Sequence, residues 1–264
     1  MSTLFPVARW RAKPLLFCHL AAIVLMASWL WGPSRAGWDQ LDAAVFQWLN
    51  GSLGHSNLWD GGWALASTRL SDILVGAVML VLLIHHGAVF ESIQVRAALF
   101  TFLALLLVLL VIRVLFDRMA GPLGWQHVSP SLAFEGAYQL SDHFPALERV
   151  LEIKDRSRRS FPGDHASVLL LWGLFMAMFA RGRWRVLVLG LAALFMLPRL
   201  VAGAHWLSDD LVGGLAIALL ALGWGYCTPL GAQIARLLEL LARPFLSLGA
   251  QIPLVRKLAL FRQP

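Results

Sequence analysis

The sequence predicts an all-α, polytopic membrane protein with six transmembrane helices. Three observations carry that prediction. Of 264 residues, 59% are hydrophobic and only 14% charged, against roughly 25% charged in a water-soluble fold. The apolar residues fall in uncharged runs of about twenty, the length that crosses roughly 30 Å of hydrocarbon. Basic residues are also segregated between alternate connections. A disordered chain, a disulfide scaffold and a porin-type barrel are excluded, because the runs are continuous and do not alternate.

The spans are expected at Leu15–Trp31, Gly62–Ile84, Ala97–Phe116, His165–Ala180, Val186–Val201 and His205–Cys227. The first follows Arg9, Arg11 and Lys13 without a small-residue cleavage site, so it reads as an anchor, with Trp29 and Trp31 suited to an interfacial belt. With the N-terminus inside, the inner segments hold twelve basic and two acidic residues, among them Arg256, Lys257 and Arg262 in the tail. The remainder holds ten basic and thirteen acidic residues. This is the positive-inside pattern, which puts both termini in the cytoplasm. The net charge of +7 is then largely a topology signal and does not argue for nucleic acid. Cys18 and Cys227 lie in apolar runs and are expected to be free thiols.

Two stretches are amphipathic without spanning. Trp38–Leu49 places Trp38, Leu41, Val45, Trp48 and Leu49 at helical spacing around Asp39 and Asp42, which predicts a helix on the outer surface. Ile234–Leu241, with Arg236, Arg243 and later Lys257, predicts an inner-surface helix drawn to anionic lipid. With no repeat or linker, residues 1–264 are expected to form one domain with outer loops 117–165 and 199–210 and a cytoplasmic tail 229–264.

Most outer polar residues fall in two patches. In the second patch, residues 199–210, His205 and Asp209 are four apart and share a face if a helix starts near His205. The carboxylate then fixes the tautomer and leaves the other imidazole nitrogen as a nucleophile. Arg199 can fold back across the Gly203 turn to hold an anion there. The first patch sets Lys154, Arg156, Arg158 and Arg159 beside Pro162-Gly163, and the turn opens a helix at His165. A helix N-terminus with cations around it is a phosphate site. No histidine–carboxylate set has the spacing of a zinc or di-iron site.

Pro162-Gly163-Asp164-His165 followed by Arg199-x5-His205-x3-Asp209 resembles the second and third motifs of the type 2 phosphatidic acid phosphatase (PAP2) superfamily. Lys154-Asp155, Ser160-Phe161-Pro162-Gly163-Asp164-His165 and Gly203-Ala204-His205-Trp206 resemble its lipid A 1-diphosphate synthase branch, as do the span pattern and the pair Arg69-x-x-Asp72. The resemblance implies a PAP2-type bundle and a two-step phosphoryl transfer that needs neither metal nor cofactor. In it His205 attacks phosphorus, Asp209 orients His205, and His165 protonates the departing oxygen. Lys154, Arg158, Arg199 and the N–H groups near Gly163 and Asp164 hold the phosphoryl oxygens. The branch's donor is undecaprenyl diphosphate and its acceptor lipid A, in a bacterial inner membrane with a periplasmic site. The first motif is degenerate: Arg118 and His127 are its nearest equivalents. Arg69 is expected either to pair with Asp72 or to touch the second lipid. A lipid phosphatase with water as acceptor, or a non-catalytic lipid-phosphate binding or transport protein, also remains open. The oriented histidine argues against the last.

Overall fold

In hydrocarbon every backbone N–H and C=O must be paired within its own segment, so continuous apolar runs become helices. The computed structural model, which describes residues 8–252 and 258–261, is helical, and its only extended pairings among the described residues are isolated bridges at Thr68–Ile153 and His86–Phe90. The helices are α1 (Ala12–Leu30), α2 (Gly32–Asn50), α3 (Asn57–Ala66), α4 (Arg69–Ile84) and α5 (Val95–Ala120). Three short ones follow, α6 (Pro130–Ala133), α7 (Leu140–His143) and α8 (Pro145–Leu151). The chain closes with α9 (Asp164–Phe179), α10 (Arg183–Val201), α11 (Leu215–Tyr226) and α12 (Pro229–Gln251). A π-helical turn, Asp209–Gly214, leads directly into α11.

Among the described residues four helices are long and apolar enough to cross a membrane: α1, α5, α10 and the π turn with α11, while α9 is apolar but shorter. The expected span Gly62–Ile84 is not one helix. It breaks at Ser67–Thr68, where Thr68 is extended and its hydroxyl caps α4 by accepting from the Ser71 N–H. The break has a physical cause. It frees the Ser67 carbonyl to accept from the Lys154 N–H at 2.9 Å and from Arg199 Nη1 at 2.8 Å. Arg69 is therefore the first residue of α4 and not part of one continuous Gly62–Ile84 helix.

The core is built around α11, which packs against α1, α5, α9 and α12. Trp172, Phe175, Leu105 and Ile217 are fully buried at its centre. Apolar side chains of α1, α4, α5 and α10 point outward instead, as they do when the surrounding solvent is hydrocarbon. Cys18 and Cys227 are free and buried.

Two expectations change. Trp29 is not a belt residue: it is buried and stacks on Phe161 at 4.3 Å between ring centres, while Trp31 stays exposed. The helix expected at Trp38–Leu49 lies within α2, but Asp42 does not face solvent. It is buried and accepts from the Ser208 N–H (2.8 Å) and hydroxyl (2.5 Å), which ties α2 to the start of the π turn. Burial pushes the Asp42 carboxyl up to about 6, against the lowering effect of those bonds. Ile234–Leu241 is helical as part of α12; Arg256, Lys257 and Arg262 lie outside the described residues.

Candidate active site

The basic loop is pinned from both sides. At one end the Lys154 N–H donates to Ser67, and at the other the Ser160 N–H donates to the His127 carbonyl at 2.9 Å. Between them the loop lies over the N-terminal ends of α4 and α9 and the C-terminal ends of α5 and α10 and borders a cavity of about 730 Å³. His205, His165, Asp164, Arg199, Lys154, Arg118 and Arg69 all line it, together with Arg113, Arg156 and Arg159.

His205 sits in the turn between α10 and the π turn, not on a helix, because Gly203 at φ 77° reverses the chain just before it. A side chain there would strike Phe46 and Ser131. Nδ1 of His205 donates to the Ser160 carbonyl at 3.0 Å and lies 3.6 Å from Asp209 Oδ2. Both acceptors face Nδ1, so the orienting contact is shared between a carbonyl and the expected carboxylate. Nε2 is left toward the cavity, 3.4 Å from Asp164 Oδ1. Burial alone would lower the basicity of this imidazole. The hydrogen bonds to Asp164 and Asp209 and the charges of Asp210 and Asp209 outweigh it and hold His205 up at about 10.

Asp209 is wholly buried and is held by three groups. The Trp206 N–H donates to Oδ2 at 2.8 Å, and His127 Nε2 donates to Oδ1 at 2.9 Å. His205 completes the set. His127 lies behind Asp209 and does not line the large cavity.

Other expected phosphate ligands are redistributed. The Gly163 N–H is not free, since it donates to the Asp209 carbonyl at 2.9 Å. Glycine is needed there because a Cβ would collide with the Asp210 carboxylate and the Asp209 backbone. Arg158 is exposed and does not line the cavity, whereas Arg156 and Arg159 do. Lys154 Nζ pairs with Glu152, which also takes Arg69 Nε at 3.3 Å. These two cations hold the Glu152 carboxyl below its ordinary range. Arg69 therefore pairs with Glu152 and not with Asp72.

Asp72 belongs to Arg199. Arg199 Nη2 donates to both Asp72 oxygens at 2.8 and 2.7 Å, and Nη1 reaches the Ser67 and Lys154 carbonyls. The guanidinium is consequently locked in one pose at the cavity wall. His165 lies beside it, with Nε2 donating to the Phe195 carbonyl at 3.3 Å and Nδ1 3.8 Å from Asp72. Arg113 was not foreseen as a site residue. It reaches from α5 to Asp164 at 3.1 Å, and its signal in the sequence was a charge within an otherwise apolar span, a position that is costly unless used. Among the described residues, no group of three or more His, Cys, Asp or Glu side chains is arranged to hold a metal ion.

The site sets a buried histidine against a cluster of arginines, chemistry suited to a phosphoryl group, and residues 125–232 match the PAP2 superfamily. It is 29% identical over 227 residues, 82% of this chain and 88% of the relative, to the lipid A 1-diphosphate synthase of Escherichia coli (strain K12). No solved structure matches the chain. The domain and this similarity support an enzyme of lipid phosphatase or phosphotransferase type.

Proposed function

We propose that this protein is a membrane phosphotransferase that moves the terminal phosphate of undecaprenyl diphosphate to the 1-phosphate of lipid A. The observation that carries the reading is His205: Nδ1 is engaged by Ser160 and Asp209, and Nε2 opens onto the arginine-lined cavity. In the free-base form of His205, with its remaining proton on Nδ1, Nε2 attacks the terminal phosphorus and the bond to the bridging oxygen breaks. His165, keeping its Nε2 proton on the Phe195 carbonyl, enters this step as the imidazolium, delivers its Nδ1 proton to the leaving undecaprenyl phosphate and takes a replacement from solvent in the cavity before the next turnover. An oxygen of the lipid A 1-phosphate then attacks phosphohistidine, and the P–N electron pair returns to Nε2. Arg199, Lys154, Arg118, Arg156 and Arg159 offset the charge on the transferring group, which is what a loose phosphoryl transition state requires.

In this reading one membrane domain spans the bilayer six times, through α1, α4, α5, α9, α10 and the π turn with α11. Helices α4 and α9 have sixteen residues each, about 24 Å at 1.5 Å per residue, and suit a span whose outer end is the protein-lined cavity. Both termini then face the cytoplasm of a bacterial inner membrane and the site faces the periplasm.

A hydrolytic side reaction has one specific support. Asp164 is half exposed beside Nε2, where it can take a proton from water attacking phosphohistidine. Undecaprenyl diphosphate labelled on its terminal phosphate separates the two: label on lipid A supports transfer, and label released only as free phosphate supports hydrolysis.

Two further results are expected. His127→Ala leaves Asp209 with the Trp206 N–H and His205 alone, so kcat is expected to fall about 10- to 100-fold with KM little changed. A large rise in KM would instead make His127 a substrate contact. Asp164→Asn removes one of the carboxylates that hold the proton on His205. The parent's kcat/KM should climb with pH toward about 10 as His205 becomes a free base, and the variant's climb should start about one pH unit lower. An unmoved limb would detach Asp164 from His205.

A further inference from the structure

Two apolar clefts flank α4, one on each side, and both end at the same polar groups. The first lies between α4 and α5, has a volume of about 320 Å³ and runs from Asp72 down to Leu83, about 16 Å along the helix. The second lies between α4 and α10, has a volume of about 250 Å³ and stays near the outer end, with Trp63, Ser71, Val75, Leu194, Phe195 and Pro198 as its walls. Asp72 and His165 line both clefts and the catalytic cavity, and Arg199 lines the second cleft and the cavity. A phosphate seated against Arg199 and His165 therefore has two separate apolar exits for whatever chain it carries.

We propose that the cleft between α4 and α10 holds an acyl chain of the acceptor lipid, with its phosphate in the catalytic cavity. This deepens the transferase reading and rests on it. Three features of the cleft argue for this occupant. The cleft is apolar except where it joins the site, so it fits an amphiphile whose charged end is already accounted for. It is the shorter of the two clefts, so the long polyprenyl donor is better served by the groove that follows α4 to Leu83. Its position on the opposite flank of α4 keeps the donor's chain and the acceptor's chain from competing for one path.

The test uses the full-length protein in nanodiscs with lipid A carrying a diazirine in an acyl chain. Photolabel is expected on peptides containing Leu194–Pro198 or Ser71, suppressed by unlabelled lipid A and not by undecaprenyl phosphate. Label confined to the α4–α5 groove overturns the assignment. So does equal labelling of the α10 peptide by a phosphatidylethanolamine bearing the same diazirine, which marks bulk lipid. A kinetic arm uses Ser71→Trp, which narrows the cleft at a residue not itself assigned to catalysis. Its KM for lipid A is expected to rise at least tenfold, while the rate of phosphoenzyme formation from the donor stays unchanged. A normal lipid A KM in a folded Ser71→Trp protein overturns the cleft while leaving the transferase reading intact. A parent protein that forms phosphoenzyme but passes no label to lipid A overturns both.

Discussion

His205→Ala is expected to abolish transfer, with a loss of about 10⁴-fold or more, the scale seen when a nucleophile that works with an orienting partner is removed. The side chain makes one close hydrogen bond, to the Ser160 carbonyl, so the fold should survive and the loss should be chemical. The check is a rapid quench with donor labelled on its terminal phosphate. The parent is expected to trap a protein-bound phosphate that is stable in alkali and labile in acid, as phosphohistidine is, and the variant to trap none. Retention of more than a few per cent of activity would remove His205 as nucleophile. A trapped phosphate that persists in the variant would move the nucleophile elsewhere in the cavity.

Asp72→Ala is expected to be nearly as damaging, for a different reason. Arg199 is buried, and both Asp72 oxygens lie within hydrogen-bond distance of Nη2. Removing one partner leaves a charge with little water around it, a loss of about 3 kcal/mol for pairs of this kind. The freed guanidinium also loses its fixed pose beside His165, so kcat/KM should collapse along with thermal stability in detergent. Arg199→Lys should not rescue the site, because an ammonium lacks the planar fork that meets Asp72 while holding two carbonyls. The double variant Asp72→Ala with Arg199→Ala gives the coupling. It is expected to unfold at a higher temperature than Asp72→Ala alone while remaining inactive; purely additive losses would mean that the pair is not a coupled unit.

Much of the site was legible because it is local. His205, Asp209 and Arg199 lie within eleven positions, and the basic loop runs directly into the helix that carries His165. Helical spacing predicted that His205 and Asp209 would meet, and they do, though through a turn in which Ser160 takes the shorter bond. The partners that arrive from far along the chain were not legible. His127 reaches Asp209 across 82 positions and Asp72 reaches Arg199 across 127, and no spacing rule extends that far. Arg158 and Arg159 are neighbours in one basic run, yet only Arg159 faces the cavity, a choice made by the pinning of the loop at Ser67 and His127.

The sequence by itself determined that the chain is helical and apolar enough for a membrane, where most of its long apolar helices lie, and that a histidine stands among cations. Those properties follow from composition, periodicity and short-range spacing, which act residue by residue. Only the tertiary structure decided that Gly62–Ile84 breaks at Ser67, that the Gly163 N–H is spent on Asp209, and that Asp72 holds Arg199. A backbone carbonyl or a carboxylate has many possible partners within a chain, and burial in a low-dielectric interior forces each to find one. Which one it finds is set by the packing of helices distant in sequence.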